Sequence, residues 1–179
     1  MVRWEAILER CRAGDREALD ELIRRWEGKL FYYVRRLVAD EPDAWDVLQQ
    51  TWVRVLNGIG KVRDSGKLVP WLYRVARNTA ISHRKSLLAR QGHLDRDAIV
   101  EDLADMEVLE TDWTAEEVHR GMNDISASHR DVLTLFFLQD LTIKEIAEVA
   151  GVSEGTVKSR LFYGKKALRE VLENVRSRS

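Results

Sequence analysis

TIKEIAEVAGVSEGTVKSRL, residues 142–161, is the stretch on which the fold turns. Thr142 with Glu145 three residues later forms a capping box, in which hydroxyl and carboxylate bind amides that the first turn of a helix leaves free. A helix therefore starts here, and Ile143, Ile146, Ala147 and Val149 give it one apolar face. Ala147 is small enough for a second helix to cross closely. Gly151 permits the left-handed backbone that ends the first helix, and Val152 fills the corner. Ser153 caps a second helix whose Val157 and Leu161, four residues apart, point inward. Glu154, Thr156, Lys158, Ser159 and Arg160 are left on or near its outer face. A helix, a tight glycine turn and a polar second helix make a helix-turn-helix, the arrangement that lays its second helix in a major groove. Lys165, Lys166 and Arg169 follow, placed to hold phosphates rather than to read bases. A plain hairpin with a solvated charged face is the competing account; cap, turn, apolar face and polar face all agree on the DNA-reading one.

Upstream, the pattern is helical throughout. Only two prolines and ten glycines interrupt 179 residues, and alternating valine, isoleucine and threonine is scarce, so the predicted fold class is all-α. Asp15 after Gly14 caps a long helix carrying Ala18, Leu22, Trp26, Leu30, Val34 and Val38 at helical spacing. DEPDAWD, residues 40–46, punctuates it, and Ala44, Val47, Leu48, Thr51, Trp52, Val55 and Leu56 mark the next helix, which ends at Gly58 and Gly60. GIGKVRDSGK, residues 58–67, reads as a polar loop. Pro70 suits the first turn of a further helix running to about residue 89. These helices and a short N-terminal one make a first domain, residues 1–90. Residues 91–113 are acidic with irregular apolar spacing, which fits either a tether or a solvated helix. A second domain, residues 114–179, opens with a short helix from Thr114 to about Asn123.

The net charge of −1 argues at first against a polyanionic partner, but its distribution argues for one. Residues 67–90 hold six Lys and Arg and no acid, and residues 154–179 hold seven against three glutamates. Between them, residues 91–120 hold ten acids and two arginines. Two basic segments thus flank an acidic connector, which could also lie against the first of them and mask it. The single cysteine, Cys11, has no internal disulfide partner, and no apolar run approaches the about 20 residues that span a bilayer. The N-terminus carries acids through its apolar positions and lacks a small-residue cleavage site, so a cytoplasmic protein is expected. His83, His93, His119 and His129 lack metal-ligand spacing, and GKVRDSGKL, residues 60–68, fits no phosphate-loop register. No cofactor, metal, small-molecule substrate or catalysis is expected.

Residues 126–172, SASHRDVLTLFFLQDLTIKEIAEVAGVSEGTVKSRLFYGKKALREVL, resemble region 4 of the extracytoplasmic-function (ECF) sigma factors of the sigma-70 family. Regulators of the LuxR type share a similar helix-turn-helix, and the first domain decides between them. DAWDVLQQTWVRVL, residues 43–56, is similar to the polymerase-binding helix of region 2.2, and VPWLYRVARNTAISHRK, residues 69–85, to the promoter-melting helix of regions 2.3 and 2.4. The resemblance implies two helical domains that bind core RNA polymerase, at its clamp helices and flap, and read promoter DNA. It implies that Asp46, Gln49 and Gln50 face the clamp helices. It places Trp71, Tyr73, Arg74, Arg77, Asn78, Arg84 and Lys85 on the minus-10 surface, with Trp71 equally readable as core because it shares a stripe with Val75. It makes residues 58–67 the loop that receives a flipped base, with Arg63, Asp64 and Ser65 as the pocket, unless the loop is only a connector. Ser153, Glu154, Thr156, Lys158, Ser159, Arg160, Lys165 and Lys166 would meet the minus-35 element. An anti-sigma factor is implied as a candidate regulator, as many family members have one. Two positions depart from the family pattern: Trp45 stands where glutamate is common, and Gln50 where a second acid is usual. An effector-responsive regulator would need a ligand or phosphoacceptor domain, which the first segment does not suggest.

Overall fold

Asp15 accepts hydrogen bonds from the amides of Glu17 and Ala18, at 2.9 and 3.3 Å, and so opens a helix of 22 residues. The computed structural model describes residues 4–91 and 113–177. The chain divides into two compact units, Met1–Leu94 and Asp95–Ser179. Among the described residues every regular element is helical. The connector expected at 91–113, and with it the masking of the basic helix, lies outside the described residues save for its two end positions.

The first unit contains α1 (Trp4–Arg12), α2 (Arg16–Leu37), α3 (Glu41–Gly58), two short 3-10 turns at Ile59–Lys61 and Ser65–Lys67, and α4 (Leu68–Gln91). Asp40 caps α3 by accepting from the Asp43 amide at 2.9 Å, and Pro42 sits in the first turn, where its missing N–H costs nothing. Leu22, Leu30, Val34, Val47, Val55, Leu68 and Leu72 are essentially inaccessible and form the core between α2, α3 and α4. Removing each such side chain from water contributes about 1.5–3 kcal/mol. Thr51 and Thr79 are buried among them, and each hydroxyl donates to the carbonyl four residues back, Val47 at 2.7 Å and Val75 at 2.8 Å, so neither is left unpaired. Trp4, Trp26, Tyr73 and Tyr33 form a chain of tilted and edge-on rings, with successive centroids 5.6, 5.9 and 5.3 Å apart, that ties α1, α2 and α4 together. Leu56, expected to mark the apolar face of α3, is 45% exposed: at about 100° per residue it falls on the outward side of the helix with Trp45, while its neighbour Val55 takes the core position.

The second unit contains α5 (Ala115–Gly121), α6 (Ala127–Leu133), a wide π-helical turn at Thr134–Leu138, α7 (Ile143–Ala150) and α8 (Glu154–Arg176). Capping boxes start two of its helices, α5 and α7. Thr142 and Glu145 exchange bonds at 2.8 and 3.3 Å as expected, and Thr114 and Glu117 do the same at 2.7 and 3.2 Å. Gly151 ends α7 at φ 68°, with its amide and that of Val152 both donating to the Ala147 carbonyl. Ile146, Val149, Val157 and Leu161 pack the α7–α8 corner. Glycine sets the closeness of two other crossings. At Gly164 of α8 a Cβ would meet the His129 Cβ at 3.1 Å and Leu133 at 3.2 Å, and at Gly121 it would meet Leu168 at 2.9 Å.

Candidate nucleic-acid and polymerase interface

Successive residues of a helix turn by about 100°, so one stripe of α4 carries Trp71, Arg74, Asn78 and Lys85 while Leu72, Ala76 and Ala80 face the core. Arg74, Asn78 and Lys85 are exposed, and Arg77 and Arg84 lie half-buried on the flank of the stripe. Tyr73 is a correction to the expected minus-10 surface. It is 1% exposed, edge-on to Trp26 and Tyr33, and its burial raises the phenol well above its ordinary value. It sits about 200° around the helix from Trp71, on the side that α2 covers. Trp71 is neither core nor free. It is half-buried, with its ring laid over Gly58, where a Cβ would come within 3.0 Å of it.

The loop between α3 and α4 is held at several points. Ile59 and Val62 are buried, whereas Arg63, Asp64, Gly66 and Lys67 are exposed and Ser65 is half-buried. Asp64 caps the second 3-10 turn by accepting the Gly66 amide at 2.8 Å, so one of its oxygens serves the loop's own shape. Arg12, at the end of α1, donates to the Val62 carbonyl. No sequence signal pointed to Arg12, since 50 residues separate the partners.

On α3, Asp46, Gln49 and Gln50 are exposed as expected. Beside them run Trp45, Val53 and Leu56, at 43%, 57% and 45% exposure, an unusual amount of apolar surface for one helix face. Trp45 stacks on Phe31 of α2 with centroids 4.1 Å apart, and its indole N–H donates to Glu41 at 3.4 Å. His83 of α4 lies 3.0 Å from Asp43 in the first turn of α3, joining the two helices that carry these surfaces.

In the second unit, Ser153 caps α8 by accepting the Thr156 amide at 3.0 Å, and the two hydroxyls lie 2.8 Å apart. Glu154, Lys158 and Lys166 are exposed, and Thr156 and Arg160 are half-buried. Ser159 and Lys165 are corrections, with 5% and 7% exposure. Helical side chains lean toward the N-terminus, so Phe162 and Tyr163 lean over the turn that holds the short Ser159. Lys165 lies four residues after Leu161 and three before Leu168, on the edge of the apolar stripe, where its methylene stem is covered. Burial, and secondarily the charge of Arg160, lowers the pKa of His129 in α6 below its ordinary value. Gly155 went unremarked in the sequence. It is exposed in the first turn of α8, and a Cβ there would meet only Ser153 Oγ, at 3.7 Å.

Residues 22–90 match the Sigma-70 region 2 family and residues 121–170 the Sigma-70, region 4 family. The RNA polymerase sigma-H factor of Pseudomonas aeruginosa is 31% identical over 94% of this chain and 93% of its own. The ECF RNA polymerase sigma-E factor of Haemophilus influenzae is 29% identical over 95% and 93%, and the ECF sigma factor SigM of Bacillus subtilis 28% over 84% and 93%. Among solved structures, the sigma factor RpoE of Bartonella quintana, in complex with the anti-sigma factor NepR, superposes with a TM-score of 0.69 at 19% identity, covering 86% of this chain and 96% of that one. CnrH, in complex with the cytosolic domain of CnrY, gives 0.66 at 20%, covering 94% and 96%. Two family segments in order, a helix-turn-helix in the second unit and full-length relatives lead to one conclusion: the chain belongs to the ECF group of the sigma-70 family, the factors that bind core RNA polymerase and direct promoter-specific transcription initiation.

Proposed function

We propose that the two units divide promoter reading between them. The outward stripe of α4 (Arg74, Asn78 and Lys85, with Trp71 at its loop end) meets the minus-10 element, and Arg77 and Arg84 track the backbone from its flank. The observation that carries this reading is the placement of that stripe beside the anchored loop, whose exposed Arg63 and Asp64 and half-buried Ser65 form a polar crest for a flipped base. Extruding a base costs a few kcal/mol of stacking, which a loop held in shape offsets better than a mobile one. In the second unit, the start of α8 lies in the major groove at the minus-35 element, with Glu154, Lys158 and Arg160 near bases and Lys166 on phosphate. Gly155 leaves the backbone of that first turn open to close approach.

Asp46, Gln49 and Gln50 face the polymerase clamp helices, with Trp45, Val53 and Leu56 supplying apolar contact in place of the missing acids. The flap takes the second unit. Residues 1–90 and 114–179 act as separate domains joined by 91–113, and holding both on one polymerase lets two weak DNA contacts act as a strong one. The factor works by binding, with no turnover of its own, in the cytoplasm where the polymerase is. An anti-sigma factor is the proposed regulator, by analogy with the complexes of RpoE and CnrH.

Run-off transcription with purified core polymerase over a randomised promoter library tests this directly. Paired minus-35 and minus-10 motifs are expected. Recovery of only one motif, or failure to bind core polymerase, refutes the division of labour.

A further inference from the structure

We propose that Arg12 is a positioning residue for base selection at the minus-10 element, acting through the loop between α3 and α4. The inference rests on the reading of that loop as the base-receiving one. Arg12 lies outside residues 22–90, the segment that matches Sigma-70 region 2, so the family match gives it no role.

The loop is fastened at both ends, and its crest is exposed at Arg63 and Asp64. At its start, the Trp71 ring covers Gly58. Ile59 and Val62 are 3% and 7% exposed, and α1 packs against both 3-10 turns. The first turn closes with the Val62 amide donating to the Ile59 carbonyl at 3.1 Å, and the second with the Lys67 amide donating to Asp64 at 3.0 Å. Neither bond spans the junction between Val62 and Arg63, where the chain leaves the protein and the polar crest begins. At that junction the Arg12 guanidinium donates to the Val62 carbonyl in a part-buried setting.

A peptide unit is planar, so the Val62 carbonyl and the Arg63 N–H turn together. Fixing the oxygen therefore fixes the direction of the Arg63 amide and the position of the Arg63 Cα, from which the crest departs. Arginine suits the task because its rigid, always-charged fork is preorganised for donation to an oxygen, and less freedom is lost than with lysine. Loss of the bond leaves Ile59 and Val62 buried but frees the peptide plane, so the loop keeps its place and loses its direction.

The test uses the full chain with core polymerase and promoters carrying each of the four bases at every minus-10 position. Wild type, Arg12→Ala, Arg12→Lys and Arg63→Ala are compared by run-off rate, with core affinity, minus-35 selectivity and thermal unfolding measured alongside. Arg12→Ala is expected to reduce the preference at one minus-10 position by about five- to tenfold, comparable with the loss of one base-pair discrimination, with core affinity and minus-35 selectivity unchanged. Arg12→Lys restores part of the preference. Equal loss of transcription on all promoters, or a preference unchanged in a folded Arg12→Ala protein, overturns the proposal. If Arg63→Ala reduces the preference and the Arg12 variants do not, only the role of Arg12 falls. If Arg63→Ala leaves it intact, the loop reading fails and takes the proposal with it.

Discussion

Replacing glycine by alanine should have opposite signs at two helical positions of this protein. Gly28 lies in the exposed middle of α2, and a Cβ there meets nothing within 4 Å. Gly28→Ala gains only the reduced backbone entropy of the unfolded chain, about 1 kcal/mol of stabilisation. Gly164 sits where α8 crosses α6, and its added Cβ would lie 3.1 Å from the His129 Cβ and 3.2 and 3.3 Å from Leu133 Cδ1 and Cγ. The same entropic gain applies there, but relief needs movement that the site resists. His129 Cβ is one bond from the backbone of α6, and Leu133 is 2% exposed. Overpacking of this kind costs about 1–3 kcal/mol, so Gly164→Ala should destabilise the second unit by about 1 kcal/mol net. Hydrogen exchange on the full chain reads the two units separately, through amides of α2 in one and of α6 and α8 in the other. The expected result is slower exchange in α2 for Gly28→Ala and faster exchange in α6 and α8 for Gly164→Ala. If Gly164→Ala slows exchange in α8, the close crossing does not constrain the helix-turn-helix and the reasoning is refuted.

Three further outcomes are expected. Gly155→Ala should raise the stability of the second unit by up to about 1 kcal/mol while weakening minus-35 binding, because the helix gains and the approach to the duplex loses; equal or tighter binding in a gel-shift titration would contradict this. His129 is depressed in the folded protein by burial and by Arg160, so its neutral form is favoured there. As pH falls below the ordinary value of 6.5, the unfolded chain binds the proton first, so the second unit should lose stability toward acid, until the folded His129 also protonates. Denaturant midpoints from pH 8 to about pH 5 check this, and His129→Gln should flatten the slope. Trp45→Ala should remove a stack worth about 0.5–1.5 kcal/mol and weaken core polymerase binding by about tenfold, and unchanged affinity in a competition assay would remove Trp45 from the interface.

Much of this architecture was readable along the chain. The starts of α2, α7 and α8 rest on Asp15, Thr142 with Glu145, and Ser153, and the end of α7 on Gly151. Each signal acts on residues two to four positions away, so its physics is contained in a short window of sequence. The segregation of charge into two basic segments and the order of the region 2 and region 4 stretches were equally visible. Those features were enough to place the chain in its family.

Which side of each helix would be covered was not contained in any such window. Tyr73 has the spacing and chemistry of a promoter residue, yet α2 supplies Trp26 and Tyr33 to enclose it. Lys165 was expected on phosphate and lies instead along the apolar stripe of α8, while Leu56 was expected in the core and is exposed. Arg12 and Val62, or Phe31 and Trp45, meet only because separate elements of the chain pack side by side. Caps and turns depend on neighbours along the chain and so can be read from it, whereas burial and long-range hydrogen bonds depend on which faces pack together, and that is settled only when the whole unit has folded.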